Sequence, residues 1–96
     1  MTVREQVHAL RREILQAAEA NGARRVRLFG SGARGQETGA SDVDLLVALE
    51  PGRTLLDLAR LEARLEQLLD RSVDVVPESG LREPFRATVL RDAVDV

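Results

Sequence analysis

The sequence contains no cysteine, tyrosine or tryptophan, and its fourteen basic residues are all arginine. The lack of cysteine excludes a disulfide scaffold and cysteine-based metal sites. The lack of lysine excludes Schiff-base chemistry and a lysine-bearing phosphate loop. The only aromatic residues are Phe29 and Phe85, which are too few to form a stacking platform for single-stranded nucleic acid.

Charge and hydropathy exclude further classes of protein. The net charge of -2 does not give the basic surface that binding to duplex nucleic acid usually requires. No apolar run approaches the roughly 20 residues that a membrane-spanning helix needs. The first residues enter an amphipathic pattern at once, so no signal peptide is predicted. We therefore expect a cytoplasmic protein whose 96 residues form a single domain over 1–96.

Helix and strand patterns alternate along the chain. A capping box at Thr2 and Glu5 begins an amphipathic helix, which Asn21 and Gly22 end. The segments predicted after it are a strand over 25–29, a short helix over 31–36, a strand over 42–49, a helix over 54–69, a strand over 72–76, a helix over 84–92 and an edge strand over 94–96. Such helices can cover one small sheet, which predicts an α/β (α+β) sandwich with Phe85 and the last helix mostly in the core.

Two aspartates lie in a predicted strand that is otherwise apolar. Asp42 and Asp44 are two positions apart, so strand alternation puts both side chains on one face, about 6.5–7 Å apart. Close carboxylates repel each other and lose hydration there, so they do not stabilise the fold. Because Mg²⁺ prefers carboxylate oxygens, the pair predicts a metal site. The alternative is an exposed edge strand with solvated aspartates.

Asp74 repeats this pattern between Val73 and Val75 in a later predicted strand. If that strand pairs beside the strand of Asp42 and Asp44, three carboxylates can converge on one side of the sheet. Such a group can hold two metal ions, which stabilise the attacking and leaving oxygens of a phosphoryl transfer. Asp74 can also accept the proton of an attacking hydroxyl, or it can be a solvated residue on an edge strand.

A glycine-rich turn follows the first predicted strand. Gly30 and Ser31 precede a helix start, where backbone N–H groups bind anions and glycine lets a phosphate approach closely. The Ser31 hydroxyl can donate to a phosphate oxygen, and the planar guanidinium of Arg34 suits phosphate. Arg34 can alternatively form a surface ion pair with Glu37. The turn therefore predicts a phosphate site one short loop away from the aspartates.

These residues resemble the signature of the polymerase-beta-like nucleotidyltransferases, and they are most similar to its minimal members. The signature consists of Gly30-Ser31, Ala33-Arg34-Gly35 and Ser41-Asp42-Val43-Asp44, with Asp74 matching the third carboxylate. The resemblance extends from about Leu28 to Val76, or about half of the chain. Gly32 departs from the pattern, since family members often carry a larger residue there; we expect a looser loop but no loss of a needed group.

The resemblance implies a nucleotidyltransferase fold, in which helices flank a small mixed β-sheet. It also implies ATP as the nucleotide donor and Mg²⁺, with two ions expected. Carried over to this sequence, the metal ligands and catalytic residues are Asp42, Asp44 and Asp74, of which Asp74 is third ligand, base or both. The nucleotide-binding residues are Gly30, Ser31, Arg34 and Ser41.

A protein partner is implied by the same resemblance. Minimal nucleotidyltransferases are commonly encoded beside a HEPN-domain toxin, for which they act as antitoxins. Some of these antitoxins are similar to protein adenylyltransferases that modify a tyrosine of the toxin. A chain of 96 residues has no room for an acceptor-binding domain, so the acceptor is expected on another molecule. Because the chain contains no tyrosine, it cannot modify itself at one.

Three functions follow from this sequence. The first is transfer of a nucleotide monophosphate, AMP from ATP, to a hydroxyl of the partner toxin. The second is an antitoxin that neutralises its partner by binding alone. The third is transfer to a small molecule or an RNA end, against which the acidic balance and the missing acceptor domain argue. The sequence alone identifies no residue that reads the nucleobase, so base preference stays open.

Overall fold

The computed structural model describes residues 2–35 and 42–96, and it begins with two helices instead of the single one predicted. Helix α1 spans Val3–Ala9 and α2 spans Arg11–Ala20, with Leu10 outside the helical conformation between them. The predicted capping box is present, because Thr2 accepts from the Glu5 backbone N–H while the Glu5 side chain accepts from the Thr2 N–H. The break lets each short helix bury its own apolar face.

The remaining elements follow the predicted order closely. They are β1 Ala23–Phe29, α3 Gly30–Arg34, β2 Val43–Leu49, α4 Leu55–Leu69, β3 Val73–Pro77, a 3-10 turn Glu78–Gly80, α5 Phe85–Asp92 and β4 Val94–Asp95. A second capping box, formed by Thr54 and Asp57, begins α4 as expected. Among the described residues, no helix has both the length and the apolar character needed to cross a bilayer.

The four strands form one mixed sheet in the order β3-β2-β1-β4. Strand β1 is antiparallel to β2 and to β4, whereas β2 and β3 are parallel and are joined through α4. A small mixed sheet flanked by helices is the predicted fold class, which is thereby confirmed. Both strands that carry the candidate aspartates are neighbours, as the sequence-based hypothesis requires.

The two faces of the sheet differ in how much apolar surface they bury. One face packs against α1, α2 and α4, and alternate residues of β2 (Val43, Leu45 and Val47) belong to this larger core. The opposite face carries a smaller cluster made of Phe29, Leu46, Leu81 and Val89. Asp44 lies between Val43 and Leu45 in sequence, so alternation turns its side chain away from the larger core.

The prediction that Phe85 and the last helix are mostly core is wrong. Phe85 is 60% exposed, and Val89 is the one buried residue of α5. The short helix rests on the sheet through Val89 and leaves Phe85 at the surface. A helix of eight residues has only two turns, so its contact with the sheet covers one narrow stripe.

Candidate active site

Asp44 and Asp74 lie side by side on neighbouring strands. They are register partners in the parallel pairing of β2 with β3, and adjacent strands are about 4.8 Å apart. Residues level with each other on adjacent strands point to the same side of a sheet, so both carboxylates face away from the larger core. This juxtaposition brings together two of the three predicted carboxylates.

Asp42 occupies a more peripheral position. It is exposed and directly precedes β2, two residues before Asp44. It is not among the described residues that line the cavity next to Asp44, but its charge is near enough to act on that carboxyl. Of the three predicted carboxylates, Asp44 is half-buried, whereas Asp42 and Asp74 are exposed.

The environment of Asp44 disfavours a bare negative charge. Partial burial raises the pKa of its carboxyl above the usual 3.8, and the negative charges of Asp74 and Asp42 raise it further. The guanidinium of Arg34 acts in the opposite direction and lowers this pKa, but it does not outweigh the other causes. Like charges held together beside a single arginine favour a site that receives additional positive charge.

The chemistry of these oxygen donors fits a hard divalent cation, since Mg²⁺ binds carboxylates and phosphate oxygens. Within 2–35 and 42–96, no three acidic or histidine side chains are close enough to form a metal cage from protein alone. A magnesium ion that keeps waters and substrate phosphates among its ligands does not need such a cage. Metal binding by Asp42, Asp44 and Asp74 stays a prediction.

Gly30 is required by two features of its surroundings. Its φ is +72°, in the left-handed region that residues with a side chain rarely adopt, and a Cβ built on it would meet the Asp44 Oδ2 at 2.5 Å. Phe29, the residue before it, pairs with Asp44 across β1 and β2, which explains the close approach. The turn that begins α3 is thus held against the Asp44 carboxylate, and Ser31 is the next residue of that turn.

An open cavity joins the turn to the carboxylates. Its volume is about 480 Å³, which is within the range of small-molecule sites. The predicted site residues along it are Gly30, Ser31, Arg34, Asp44 and Asp74. Its remaining lining comes from the smaller core and from α5, namely Phe29, Val76, Phe85, Thr88, Val89 and Asp92. One cavity therefore brings most of the predicted phosphate and metal ligands together.

Arg34 forms an ion pair at the edge of this cavity. Its Nη1 lies 3.4 Å from Asp92 Oδ2, which joins α3 to the end of α5. The alternative pairing with Glu37 lies outside the described residues, as does the predicted nucleotide ligand Ser41. Because the Asp92 pair is partly exposed, it adds little to stability and leaves the guanidinium able to change partners.

The structure explains why position 32 is glycine, where the resemblance leads one to expect a larger residue. It is buried in α3, and a Cβ there would meet Val3 Cγ1 at 2.9 Å. Val3 is fully buried and occupies the space that a side chain at this position would need. The expectation of a looser loop is therefore not supported, since Gly32 is packed against α1.

Sequence reasoning did not identify the contribution of α5 to the cavity. Phe85, Thr88 and Asp92 are three and seven positions apart along this helix, so they share one face. The spacing is visible in the sequence, but only the tertiary packing of α5 shows that this face borders the carboxylates. The residues that sequence reasoning missed therefore form one side of the cavity and come from α5, near the C-terminal end of the sequence.

Comparison with known proteins identifies similar sequences. The sequence profile of the nucleotidyltransferase domain matches residues 10–95, a range that includes the whole candidate site. A Methanocaldococcus jannaschii protein, provisionally named a protein adenylyltransferase, is 36% identical over 90 residues, covering 94% of this chain and 97% of that protein. The protein adenylyltransferase MntA of Thermococcus cleftensis is 44% identical over 75 residues, covering 78% of this chain and 76% of that protein.

Two solved structures share the fold. One is described provisionally as a minimal nucleotidyltransferase; it superposes with a TM-score of 0.88 at 50% identity, covering 100% of this chain and 97% of that chain. The other is a toxin–antitoxin crystal structure with AMP-PNP, with a TM-score of 0.64 at 25% identity, covering 74% of this chain and 59% of that chain. The match to the first of these structures covers the whole chain. It therefore includes the turn and the two strands that carry the carboxylates in this protein.

Proposed function

The chain belongs to the nucleotidyltransferase family, and from this premise we propose that it transfers AMP from ATP to a hydroxyl group of a partner protein. The acceptor we propose is a tyrosine of a HEPN-type toxin, which the modification would inactivate. This chain would then be the antitoxin of the pair. The cofactor would be Mg²⁺, bound next to the nucleotide.

One observation carries the proposal: paired carboxylates and the glycine turn at Gly30 and Ser31 border the same cavity. Asp44 and Asp74 are level on neighbouring strands, and Gly30 lies directly against Asp44. Nucleotidyl transfer needs these two features together, because the turn would hold the phosphates while a cation held by the carboxylates would offset the negative charge on the phosphate oxygens. A purely structural role for both features does not explain why the raised pKa of Asp44 is tolerated.

The proposed reaction is an in-line displacement at the α-phosphorus of ATP. The oxygen of the acceptor hydroxyl forms a bond to that phosphorus, while the bond from the phosphorus to the oxygen bridging the α- and β-phosphates breaks. Pyrophosphate leaves with the electron pair, and the hydroxyl proton passes to a carboxylate oxygen. Asp74 is suited to take this proton because it is exposed to an incoming acceptor and adjacent to Asp44.

The nucleotide would be positioned by residues of α3. The backbone N–H groups of Gly30 and Ser31 and the Ser31 hydroxyl would bind phosphate oxygens, and Arg34 would add a positive charge. Asp42, Asp44 and Asp74 would hold Mg²⁺, which when bound offsets negative charge on the phosphates and on the leaving pyrophosphate. Partial burial and the neighbouring negative charges raise the pKa of Asp44, and both support a cation at this place.

The names of relatives support a protein acceptor. Two proteins similar to this chain carry the name protein adenylyltransferase, and a structure of similar fold is a toxin–antitoxin complex with a nucleotide analogue. The cavity is open to the surface, and both Asp74 and Phe85 at its rim are exposed. An open site of this kind suits a side chain presented by a second protein.

The test uses ATP labelled at either the α- or the γ-phosphate, together with the purified chain and its candidate partner. We expect label on the partner from α-labelled ATP only, and none when the chain carries Asp44→Asn. The matched control is Asp95→Asn, which changes an exposed carboxylate of the same sheet outside the cavity and should leave transfer unchanged. The experiment separates nucleotidyl transfer from transfer of the γ-phosphate, which would label the partner from γ-labelled ATP.

Other outcomes would favour the remaining functions. ATP turnover in the presence of RNA or a small hydroxyl compound, with no label on the partner, would support transfer to a different acceptor. A stable complex that protects cells from the partner without any transfer would support neutralisation by binding alone. Continued transfer by the Asp44→Asn variant would contradict the assigned site.

A further inference from the structure

One part of the cavity lining is largely apolar. It consists of Val76 at the end of β3 and of Phe85, Thr88 and Val89 on α5, and we refer to these four residues as the apolar wall. Val89 is buried and anchors the wall on the smaller core, whereas Phe85 is 60% exposed. A large aromatic ring left in water at the rim of a ligand-sized cavity is an unsatisfied hydrophobic surface.

Of the two phenyl rings that line the cavity, Phe85 is the exposed one. The sequence has two aromatic residues, and the other, Phe29, is buried beneath the turn with 8% of its surface exposed. Phe85 therefore offers the larger exposed aromatic face to a planar ring. Phe85 exposes this ring at the cavity that also holds the candidate carboxylates.

Helix α5 also spans the distance between the two ends of a nucleotide. Asp92 at its C-terminal end contacts Arg34 of the phosphate turn, and Phe85 at its first position lies seven residues away. Seven residues of helix cover about 10 Å, which is comparable to the distance from the base of an extended nucleotide to its outer phosphates. A nucleotide with its phosphates at Ser31 and Arg34 can therefore place its base along the apolar wall.

We propose that the apolar wall binds the nucleobase of the nucleoside triphosphate, with Phe85 stacked on the ring. This inference rests on the proposed function, because it takes the phosphates to bind at the turn. Stacking does not depend on the pattern of hydrogen bonds on a base. Of the four wall residues, Thr88 alone has a side chain that can form a hydrogen bond with the base.

A fluorescent variant reports on the stacking directly. The chain contains no tryptophan or tyrosine, so Phe85→Trp introduces the only indole and any tryptophan emission comes from position 85. With Mg²⁺ present, we expect ATP to quench this emission through contact with the base, and tripolyphosphate to leave it unchanged. Bound ATP, measured by calorimetry, with no change in emission would overturn the proposal.

A second variant measures how much the ring contributes to binding. Phe85→Ala should weaken ATP binding by roughly tenfold or more, as loss of base stacking usually does, without changing the affinity for tripolyphosphate. Because Phe85 is mostly exposed, the variant should unfold at nearly the same temperature as the parent chain. Leu55→Ala is the matched control, since Leu55 is 81% exposed and lies outside the cavity.

The remaining outcomes distinguish this inference from the function on which it rests. An equal loss of affinity for ATP and tripolyphosphate in Phe85→Ala would overturn base stacking and assign Phe85 to the shape of the phosphate site. Unchanged ATP affinity with reduced transfer to the partner would also overturn it, because the wall would then contact the acceptor. If the parent chain bound neither ligand, the proposed function itself would be overturned, and this inference with it.

Discussion

The Oδ2 atom of Asp44 occupies the space that a side chain at Gly30 would fill, since a Cβ built there would lie 2.5 Å away. The two residues come from different strands, and the antiparallel pairing of Phe29 with Asp44 brings them together. The turn that would bind phosphate and the carboxylate that would bind metal are therefore in direct contact. Any change that separates them should affect both functions at once.

Gly30→Ala should abolish most of the transferase activity. The added methyl group must displace the Asp44 carboxylate or the turn, and a displacement of about 1 Å can reduce the rate roughly a hundredfold. The control is Gly52→Ala, because Gly52 also has a positive φ, +86°, but a Cβ built on it would meet none of the described residues within 4 Å. Both substitutions strain the backbone by about 1 kcal/mol, so unfolding curves should shift alike while only Gly30→Ala loses kcat/KM. Equal activity in the two variants would refute the close contact.

Asp44→Asn should stabilise the metal-free chain although it removes activity. The raised pKa of Asp44 means that its ionised form destabilises the fold at pH above that pKa. The amide removes this charge, so Tm near pH 7 should rise, on the order of a few degrees. The difference should shrink as the pH falls through the raised pKa toward the usual 3.8, because the Asp44 carboxyl of the parent chain then becomes neutral.

Magnesium provides an independent check on the same variant. A cation that binds the folded chain but not the unfolded one raises its Tm, by an amount that grows with the logarithm of the cation concentration divided by its Kd. We expect Mg²⁺ to raise the Tm of the parent chain and to leave that of Asp44→Asn nearly unchanged. A Tm for the variant below that of the metal-free parent at pH 7 would contradict the account of the carboxylate cluster.

The pair formed by Arg34 and Asp92 should control affinity for ATP. Arg34→Gln removes a positive charge from the proposed phosphate site and should raise the KM for ATP by roughly tenfold. Asp92→Asn removes a competing carboxylate at 3.4 Å and should lower that KM. The matched control is Arg25→Gln, which breaks an ion pair with Asp95 outside the cavity. Steady-state kinetics at fixed ionic strength measure the KM for ATP of all three variants. An increased KM in Asp92→Asn would contradict the idea that Asp92 competes with ATP for Arg34.

The capping box of α4 should contribute to stability without affecting the site. The Thr54 side chain accepts from the Leu56 N–H, and Asp57 accepts from the Thr54 N–H at 2.9 Å. Thr54→Ala should lower the free energy of unfolding by about 1 kcal/mol, as loss of an N-cap usually does. Urea titration measures this difference, and the affinity for ATP should stay the same.

Acid should remove the contribution of the same capping box. The hydrogen bond from the Thr54 backbone holds the pKa of Asp57 below its usual 3.8, so the ionised carboxylate is the form that stabilises the fold. That contribution is complete above pH 3.8 and is lost as the pH falls through the lowered value. Asp57→Asn should therefore be less stable than the parent at about pH 6, and the two should converge near pH 2.

Much of the fold could be predicted because its signals are local. The capping boxes at Thr2 and Thr54 fix two helix starts, and the alternation around Asp44 and Asp74 identifies two strands. The metal-site hypothesis requires these two strands to pair side by side, and the structure meets that condition. Metal and nucleotide binding by these residues remain predictions, since they concern ligands rather than the backbone.

What could not be predicted depends on contacts between distant parts of the chain. Leu10 carries no helix-breaking feature, so the division into α1 and α2 follows from packing around the sheet. Phe85 is typical of a core residue by composition, but the face that α5 turns to the sheet is set by Val89. Asp92 becomes a partner of Arg34 only because α5 packs near α3, 58 residues apart in sequence.

The intact mass of the partner protein tests the central claim most directly. The candidate partner, the product of the neighbouring gene, is expressed once with the parent chain and once with its Asp42→Asn, Asp44→Asn variant. We predict that the partner gains one or more increments of AMP only with the parent chain, while both chains bind it. Equal partner masses in two stable complexes would contradict nucleotide transfer and would favour neutralisation by contact alone.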